Sequence, residues 1–363
     1  MIATIHEQIA ALPPALRAIA ERMYHVVVMR SQAVPPPAME PWIIEHFGDV
    51  AQIREQLVVK VTNRLTLETA LFNPVRAHRP HTGAAEDEAI ERWIAHELAE
   101  HDIFAYPERD TTADVFGRIR GRFCVSASNV AKYDGWHGLV IFDDPHPLRP
   151  GPAQIADFID VALRWIAAAH AHDPAAVYPL IIWNCLPKSG ATMMHGHMQV
   201  ALTRGMHFAR VECWRRAAES YRAATGAPFF ADLAALHDAL GLSIRHDNAH
   251  ILAHLTPMRN GELLLCADTA EQLIAPLAAL VRRLIDEQGL RAFNLAIALP
   301  PLAATAEDWS GVPAMARIGD RGNPLTNRND VGAMELFAAN VISTDPFEVA
   351  AALQTKNQEP GAA

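Results

Sequence analysis

Two stretches of the chain repeat one order of elements, and an internal repeat constrains a fold more tightly than any single motif does. In the first, Ile155, Phe158, Ile159, Ala162 and Ile166 make one apolar stripe at helical spacing, and the strand-like segment YPLIIWNC follows. In the second, Thr269 with Gln272 forms a capping box that opens a helix carrying Ile274, Leu277, Val281 and Leu284 and stopping at Gly289; AFNLAIALPPL then follows as a strand. Strand-like segments also precede each helix, GWHGLVIFDD in the first stretch and HILAHLTP with GELLLCAD in the second. The chain is therefore read as an internal duplication. It is asymmetric at one place. After its last strand the first half delivers HGHMQ, whereas the second half delivers VPAMARIGD with no histidine pair, so one half reads as catalytic and the other as supportive.

The remaining organisation is read around that duplication. Residues 1–57 read as a helical N-terminal extension, broken by Pro13-Pro14 and by VPPPAMEP. From Val58 the segment VVKVTNRLTLETALFNP has the alternation and β-branched content of strands. The acidic stretch 84–102 places Ile90, Trp93, Ile94 and Leu98 at helical spacing and reads as a solvated helix or a long insertion. This gives a first half over 58–210, a second, degenerate half over 211–345 and a C-terminal tail over 346–363.

Composition narrows the function. Half of the 363 residues are apolar, enough for a sizeable core, while the net charge of −10 and the lack of a basic block argue against a nucleic-acid or anionic-membrane surface. No apolar run approaches the ~20 residues of a membrane span, and MIATIHEQIA lacks a secretory apolar core, so a cytoplasmic protein is expected. Cys124, Cys185, Cys213 and Cys266 include no C-x-x-C pair, which suggests neither a disulfide framework nor a cysteine zinc knuckle.

In HGHMQ the chemistry depends on which way the side chains point. If residues 195–203 form a strand, His195, His197 and Gln199 project together and line one wall. The preceding LPKSGATMM supplies Gly190 and several N–H groups, the ingredients of an anion-binding nest, so a phosphate is the natural guest. Imidazole suits phosphoryl or nucleotidyl transfer because it attacks phosphorus while neutral near pH 7 and leaves again from the phosphoramidate. Glutamine stabilises charge on non-bridging oxygens without becoming a nucleophile. The same H-x-H could instead ligate a metal or pack on a sheet.

The longer stretch WNCLPKSGATMMHGHMQ resembles the active-site segment of the histidine-triad superfamily, in the branch that includes galactose-1-phosphate uridylyltransferase and the diadenosine tetraphosphate phosphorylases. That branch has an asparagine, a glycine- and serine-containing loop, then H-x-H-x-Q, and Asn184 stands at the matching distance before His195. NPVRAHRP is similar to the transferase's S-P-x-R-A-x-R-P, which assigns Arg76 and Arg79 to nucleotide phosphates. SNVAKYDGWHGLVIFDDPHPL is similar to the family's N-K-[FY] turn and following strand and places Asn129 near the nucleotide. NRNDVGAMELFAANVISTDP resembles the V-G-x-E-M-L region that contacts the sugar phosphate, which marks Glu335 for the acceptor. Together these matches cover about residues 60–345.

The resemblance implies an α+β protein with a duplicated histidine-triad-like fold, a mostly antiparallel sheet with flanking helices. It implies a nucleotidyltransferase or phosphorylase acting on a nucleoside diphosphate sugar or a dinucleoside polyphosphate, with a phosphate or sugar phosphate as acceptor. His197 would carry the nucleotidyl group and His195 would orient it, while Gln199 with Lys188, Ser189, Gly190 and Thr192 would hold the phosphate. A homodimer is implied as well. Departures bear on specificity and metal: the family's structural zinc uses a C-x-x-C pair, a histidine after the strand and the first histidine of H-x-H, and here only the two histidines have counterparts, His146 and His195, so no tightly bound zinc and no cofactor are expected. The second-half W-x-x-H-x-H is replaced by VPAMARIGD, and Ala333-Met334-Glu335 replaces the sugar-binding tyrosine-glutamate step. These losses motivate a second reading, a nucleotide-binding protein of the same fold without catalysis.

Overall fold

In the computed structural model, which describes residues 1–78, 84–326, 329 and 331–354, two helices, α1 (Ile5–Ala11) and α2 (Pro14–Met23), open the chain. Pro14 sits where a helix needs no N–H, so the proline pair separates the two without a lost bond. The helical expectation for residues 1–57 then gives way. Val26, Val27 and Val28 favour an extended backbone, and β1 (Tyr24–Gln32) pairs along its whole length with β2 (Glu55–Asn63), across the short helices α3 (Glu40–Phe47) and α4 (Ala51–Arg54). With β3 (Thr69–Phe72) these strands begin a small sheet. The acidic stretch is a packed helix, α5 (Ala84–Glu100), with Ile90 and Ile94 in the main core. The four-residue α6 (Pro107–Asp110) leads to the large sheet.

The first half comprises β4 (Cys124–Ser128), β5 (Trp136–Phe142), α7 (Pro152–His172), β6 (Ala176–Cys185) and β7 (His197–Arg204). Two helices, α8 (Ala209–Thr225) and α9 (Phe229–Ala239), connect to the second half. That half holds β8 (Ser243–His246), β9 (Ala249–Ala253), β10 (Asn260–Ala267), α10 (Ala270–Glu287), β11 (Phe293–Ala298) and β12 (Ala314–Asp320). The chain returns through α11 (Ala333–Phe337) to β13 (Asn340–Ile342), which pairs in parallel with β3, and closes on α12 (Pro346–Gln354).

The nine strands of the large sheet run in the order β4-β5-β7-β6-β11-β12-β10-β9-β8, and every described pair is antiparallel. Read outward from the β6–β11 seam, each half presents its strands in the same sequence, so the duplication is physical. The apolar stripes of α7 and α10 cover one face, with Phe158, Ile159, Trp165, Leu277 and Val281 buried there. Thr269 caps α10 as its sequence suggests, accepting from the Gln272 N–H. The molecule is thus α+β with a mostly antiparallel sheet and flanking helices. No helix among the described residues is long and apolar enough to cross a membrane.

The packing of α7 on the sheet is close enough to dictate sequence. A Cβ on Gly138 of β5 would lie 2.5 Å from the Trp165 ring, whose indole N–H is tied to Asp114 at 2.6 Å. Gly138→Ala is expected to destabilise the fold by about 1–3 kcal/mol through overpacking. Urea denaturation checks this; an unchanged midpoint would show that Trp165 has room to move.

Candidate active site

The site is built where β6 hands over to β7. The intervening loop turns sharply, with Leu186 at φ 70° and Gly190 at φ 93°, the latter a left-handed conformation that glycine adopts without steric cost. Ser189 is buried and its hydroxyl donates to the carbonyls of Cys185 and Leu186, so it fixes the loop. Lys188 Nζ donates to the Thr326 carbonyl at 3.2 Å, and Gly190 and Thr192 are exposed. Gly196 is a tight fit. Its N–H donates to Pro145, its carbonyl accepts from Phe142, and a Cβ there would lie 2.4 Å from the Phe142 ring. Only glycine lets the chain press onto β5 between the two histidines.

Strand β7 begins at His197, so His195 stands just before it. His195 is held from both sides: Nδ1 lies 2.9 Å from both carboxylate oxygens of Asp102, and Nε2 lies 2.7 Å from the Phe142 carbonyl. Both partners are hydrogen-bond acceptors. His197 has one partner. Its Nδ1 donates at 2.8 Å to the carbonyl of His195, which fixes the tautomer and leaves the Nε2 lone pair available. Burial holds the His197 ring below its ordinary pKa, so it is neutral near pH 7. The dry wall responsible is a small apolar cluster of Phe104, Ala127, Leu139 and Ile141, with the Phe104 ring edge-on to His197 at 5.3 Å between centroids.

Gln199 shares the strand face of His197, since Leu139 and Ile141 of β5 stand opposite the two. Its orientation is set by His137, a fully buried residue of β5. The Tyr133 N–H donates to His137 Nδ1, so Nε2 carries the proton and donates to Gln199 Oε1 at 3.0 Å. The Gln199 amide NH₂ is therefore turned outward, ready to donate. Asn129 lies beside His137, its Nδ2 3.4 Å from the ring Nε2 and its Oδ1 accepting from the Ala131 N–H. Across the seam, Asn184 Oδ1 accepts from Asn294, which also donates to the Ser189 carbonyl and is itself held by Arg321.

The sequence did not mark Asp102, Phe104 or His137. His137 was open to discovery, because the alternation of WHGLVIF puts it on one face with Leu139 and Ile141. Asp102 carried no such signal, since it lies 93 positions from His195. Neither Arg76 nor Glu335 hydrogen-bonds to this network among the described residues. Arg76 is exposed on the turn after β3, in the small sheet's part of the chain, and has no side-chain partner among the described residues. Glu335 accepts from the Gly332 N–H and caps its own helix, and Arg79 lies outside the described residues. The zinc ligands do not fit together: His146 is paired with Glu91 at 3.2 Å, both His195 nitrogens are engaged, and no cluster among the described residues is placed to hold a metal.

Because burial lowers the His197 pKa, the neutral ring should persist as pH falls and protonate only below 6.5, the ordinary value for histidine. Long-range ¹H–¹⁵N NMR is expected to show a single Nδ1–H tautomer at pH 7 and a titration midpoint under 6.5. A midpoint above 6.5 would mean that water reaches the ring.

No protein-family model matches the chain, and no curated protein sequence matches it. Solved structures do match. An ADP-glucose phosphorylase from Arabidopsis thaliana superposes with a TM-score of 0.61 at 16% identity, over 82% of this chain and 98% of that one. A galactose-1-phosphate-uridylyltransferase-like protein from Arabidopsis thaliana gives 0.56 at 16% identity, over 70% and 91%. A uridylyltransferase gives 0.55 at 13% identity, over 69% and 90%. With its doubled half-sheets and the H-x-H-x-Q segment at the β6–β7 handover, the chain shares the fold of these solved structures, an ADP-glucose phosphorylase and a uridylyltransferase among them.

Proposed function

We propose that this protein is a nucleotidyl-transferring enzyme, a transferase or phosphorylase, that works through a covalent nucleotidyl-histidine at His197. The observation that carries the reading is the state of that one ring: neutral, dry, and pinned through Nδ1 so that Nε2 is the nucleophile. The Nε2 lone pair attacks the α-phosphorus of a nucleotide donor, and the bond from phosphorus to the bridging oxygen breaks, releasing a phosphate or sugar phosphate. The acceptor oxygen then attacks the same phosphorus and the N–P bond breaks. Two inversions give net retention.

The surrounding residues have roles in both steps. The nucleotidylated ring keeps its Nδ1 proton and becomes cationic, and the His195 carbonyl it faces stabilises that charge. Asp102 holds His195 so that the carbonyl stays aimed. The outward NH₂ of Gln199 meets a non-bridging oxygen, and exposed backbone at Gly190 and Thr192 supplies the loop side of the phosphate site. The solved neighbours include an enzyme bound to ADP-glucose, which supports a nucleotide donor for this fold. Arg76, Arg79, Asn129, Asn184, Lys188 and Ser189 complete the proposed nucleotide side, and Glu335 the acceptor side. The alternative of a binder without catalysis is favoured by the missing metal ligands, the VPAMARIGD replacement among them, and by Ala333-Met334-Glu335 in the sugar region.

His197→Ala should abolish turnover and isotope exchange while leaving nucleotide affinity within about tenfold, that is within ~1.4 kcal/mol. Gln199→Ala should lose rate on the order of 10²-fold, the typical effect of one preorganised donor. A wild-type protein that binds nucleotide yet catalyses no exchange would establish the binder instead.

The assembly proposed for this enzyme is a homodimer in the cytoplasm, since Trp42, Ile44, Leu336 and Phe337 leave large apolar side chains exposed. Light scattering at micromolar concentration should give twice the chain mass, and elemental analysis well under one zinc per chain. A monomer mass or stoichiometric zinc would refute the corresponding statement.

A further inference from the structure

The second half carries the counterpart of the catalytic wall. The pairing of Ile182 with Gln199 brings Asn184, two residues on, opposite His197, and across the other half Asn294 stands opposite Gly319. Gly319 therefore occupies the place of His197. Arg317, two residues before it, corresponds to His195 and is bound by Glu68 and Glu262. Where the imidazole is missing there is a cavity of about 460 Å³, and Gly319 lines it.

This cavity has a definite chemistry. Its wall is made by Leu180, Ile182, Trp214, Met258, Leu264 and Met315. Because Ile182 neighbours Gln199, the cavity starts one strand away from the catalytic wall and is centred about 10 Å from β7, two strand spacings. A hexose buried here would leave hydroxyls without partners on an apolar wall, at a cost of roughly 1–3 kcal/mol each. A flat aromatic ring presents two apolar faces that suit the Leu180, Ile182 and Leu264 side chains and the thioethers of Met258 and Met315. Arg259, Glu262 and Arg317 also line it, and Arg317 is held by Glu262 and Glu68. Asn184 and Asn294 stand toward His197, and Arg210 is exposed at the rim with only the Met258 sulfur, 3.5 Å away, as its partner. Arg210 has no carboxylate partner among the described residues, so its charge is available to a phosphate.

We infer that this cavity is a second nucleotide site, which holds the base of a nucleotide on its apolar wall and its phosphate at Arg210, and rests on the proposed reading of His197 as the first. Each chain then binds two nucleotides, one at the nucleophile and one in the half that has lost it, the second being the acceptor or leaving nucleotide.

Calorimetry on His197→Ala protein with ATP, and separately UTP, GTP and CTP, counts the sites without any turnover. The expected result is two sites per chain for at least one nucleotide. Ala296→Leu, which fills the cavity from β11, should remove one of them, and Arg210→Ala should weaken the same one at least fivefold. Thermal melting confirms that both variants fold, and because Arg210 is exposed its variant remains informative if Ala296→Leu does not. One site per chain that neither variant affects would overturn the inference, as would a single site that both remove, since the cavity would then be the donor site itself. No binding of any nucleotide would overturn this inference and the proposed function together, whereas two sites in a wild-type protein that forms no covalent intermediate would leave the inference standing and remove the function.

Discussion

The seam between β6 and β11 is the constraint from which the rest of the structure follows. Six consecutive pairs, from Phe293 with Cys185 to Ala298 with Leu180, join two half-sheets into one. Either half alone would expose a long apolar edge strand, a template for unwanted pairing, so neither is a plausible free-standing unit. The seam also explains why a half without histidines is retained. Asn294 reaches across it to hold both the Asn184 amide and the Ser189 carbonyl, and the Thr326 carbonyl receives Lys188. The degenerate half thus positions the loop that the proposed chemistry requires.

On the first half, proton placement follows from two opposed environments a few ångströms apart. His195 sits between a carboxylate and a carbonyl, and His197 sits against Phe104, Leu139 and Ile141 with one carbonyl as its partner. The Asp102–His195 contact holds the His195 ring in place and so rigidifies the carbonyl that orients His197. Gly196 makes this geometry possible, because any side chain there would meet the Phe142 ring. Position and charge at the nucleophile are consequences of packing around one dipeptide step.

Much of this was legible in the sequence because it depends on local periodicity. The stripes of α7 and α10, the strands either side of them and the shared face of His197 and Gln199 follow from spacings of 3.6 and 2. The strand at 24–32 was not, since two helices and a proline cluster around it hid a segment whose extended form is fixed by β2. Asp102 was out of reach for a related reason: it lies just past a helix that looks solvated until Ile90 and Ile94 find the core. His137 was visible as a strand residue but not as a partner of Gln199, because antiparallel register is set between strands, not within one. The arginines and Glu335 rest on resemblance alone, and the described geometry leaves Arg76 and Glu335 on the small-sheet side of the chain.

The central claim is that His197 becomes covalently nucleotidylated, and trapping that species tests it most directly. Wild-type protein is given a nucleotide donor labelled at the α-phosphate without acceptor, quenched, and mapped by mass spectrometry. The account predicts up to one label per chain, on His197, stable in base and released by acid as a phosphoramidate is. Label on any other residue, or turnover that proceeds with no labelled protein at any time, would contradict it.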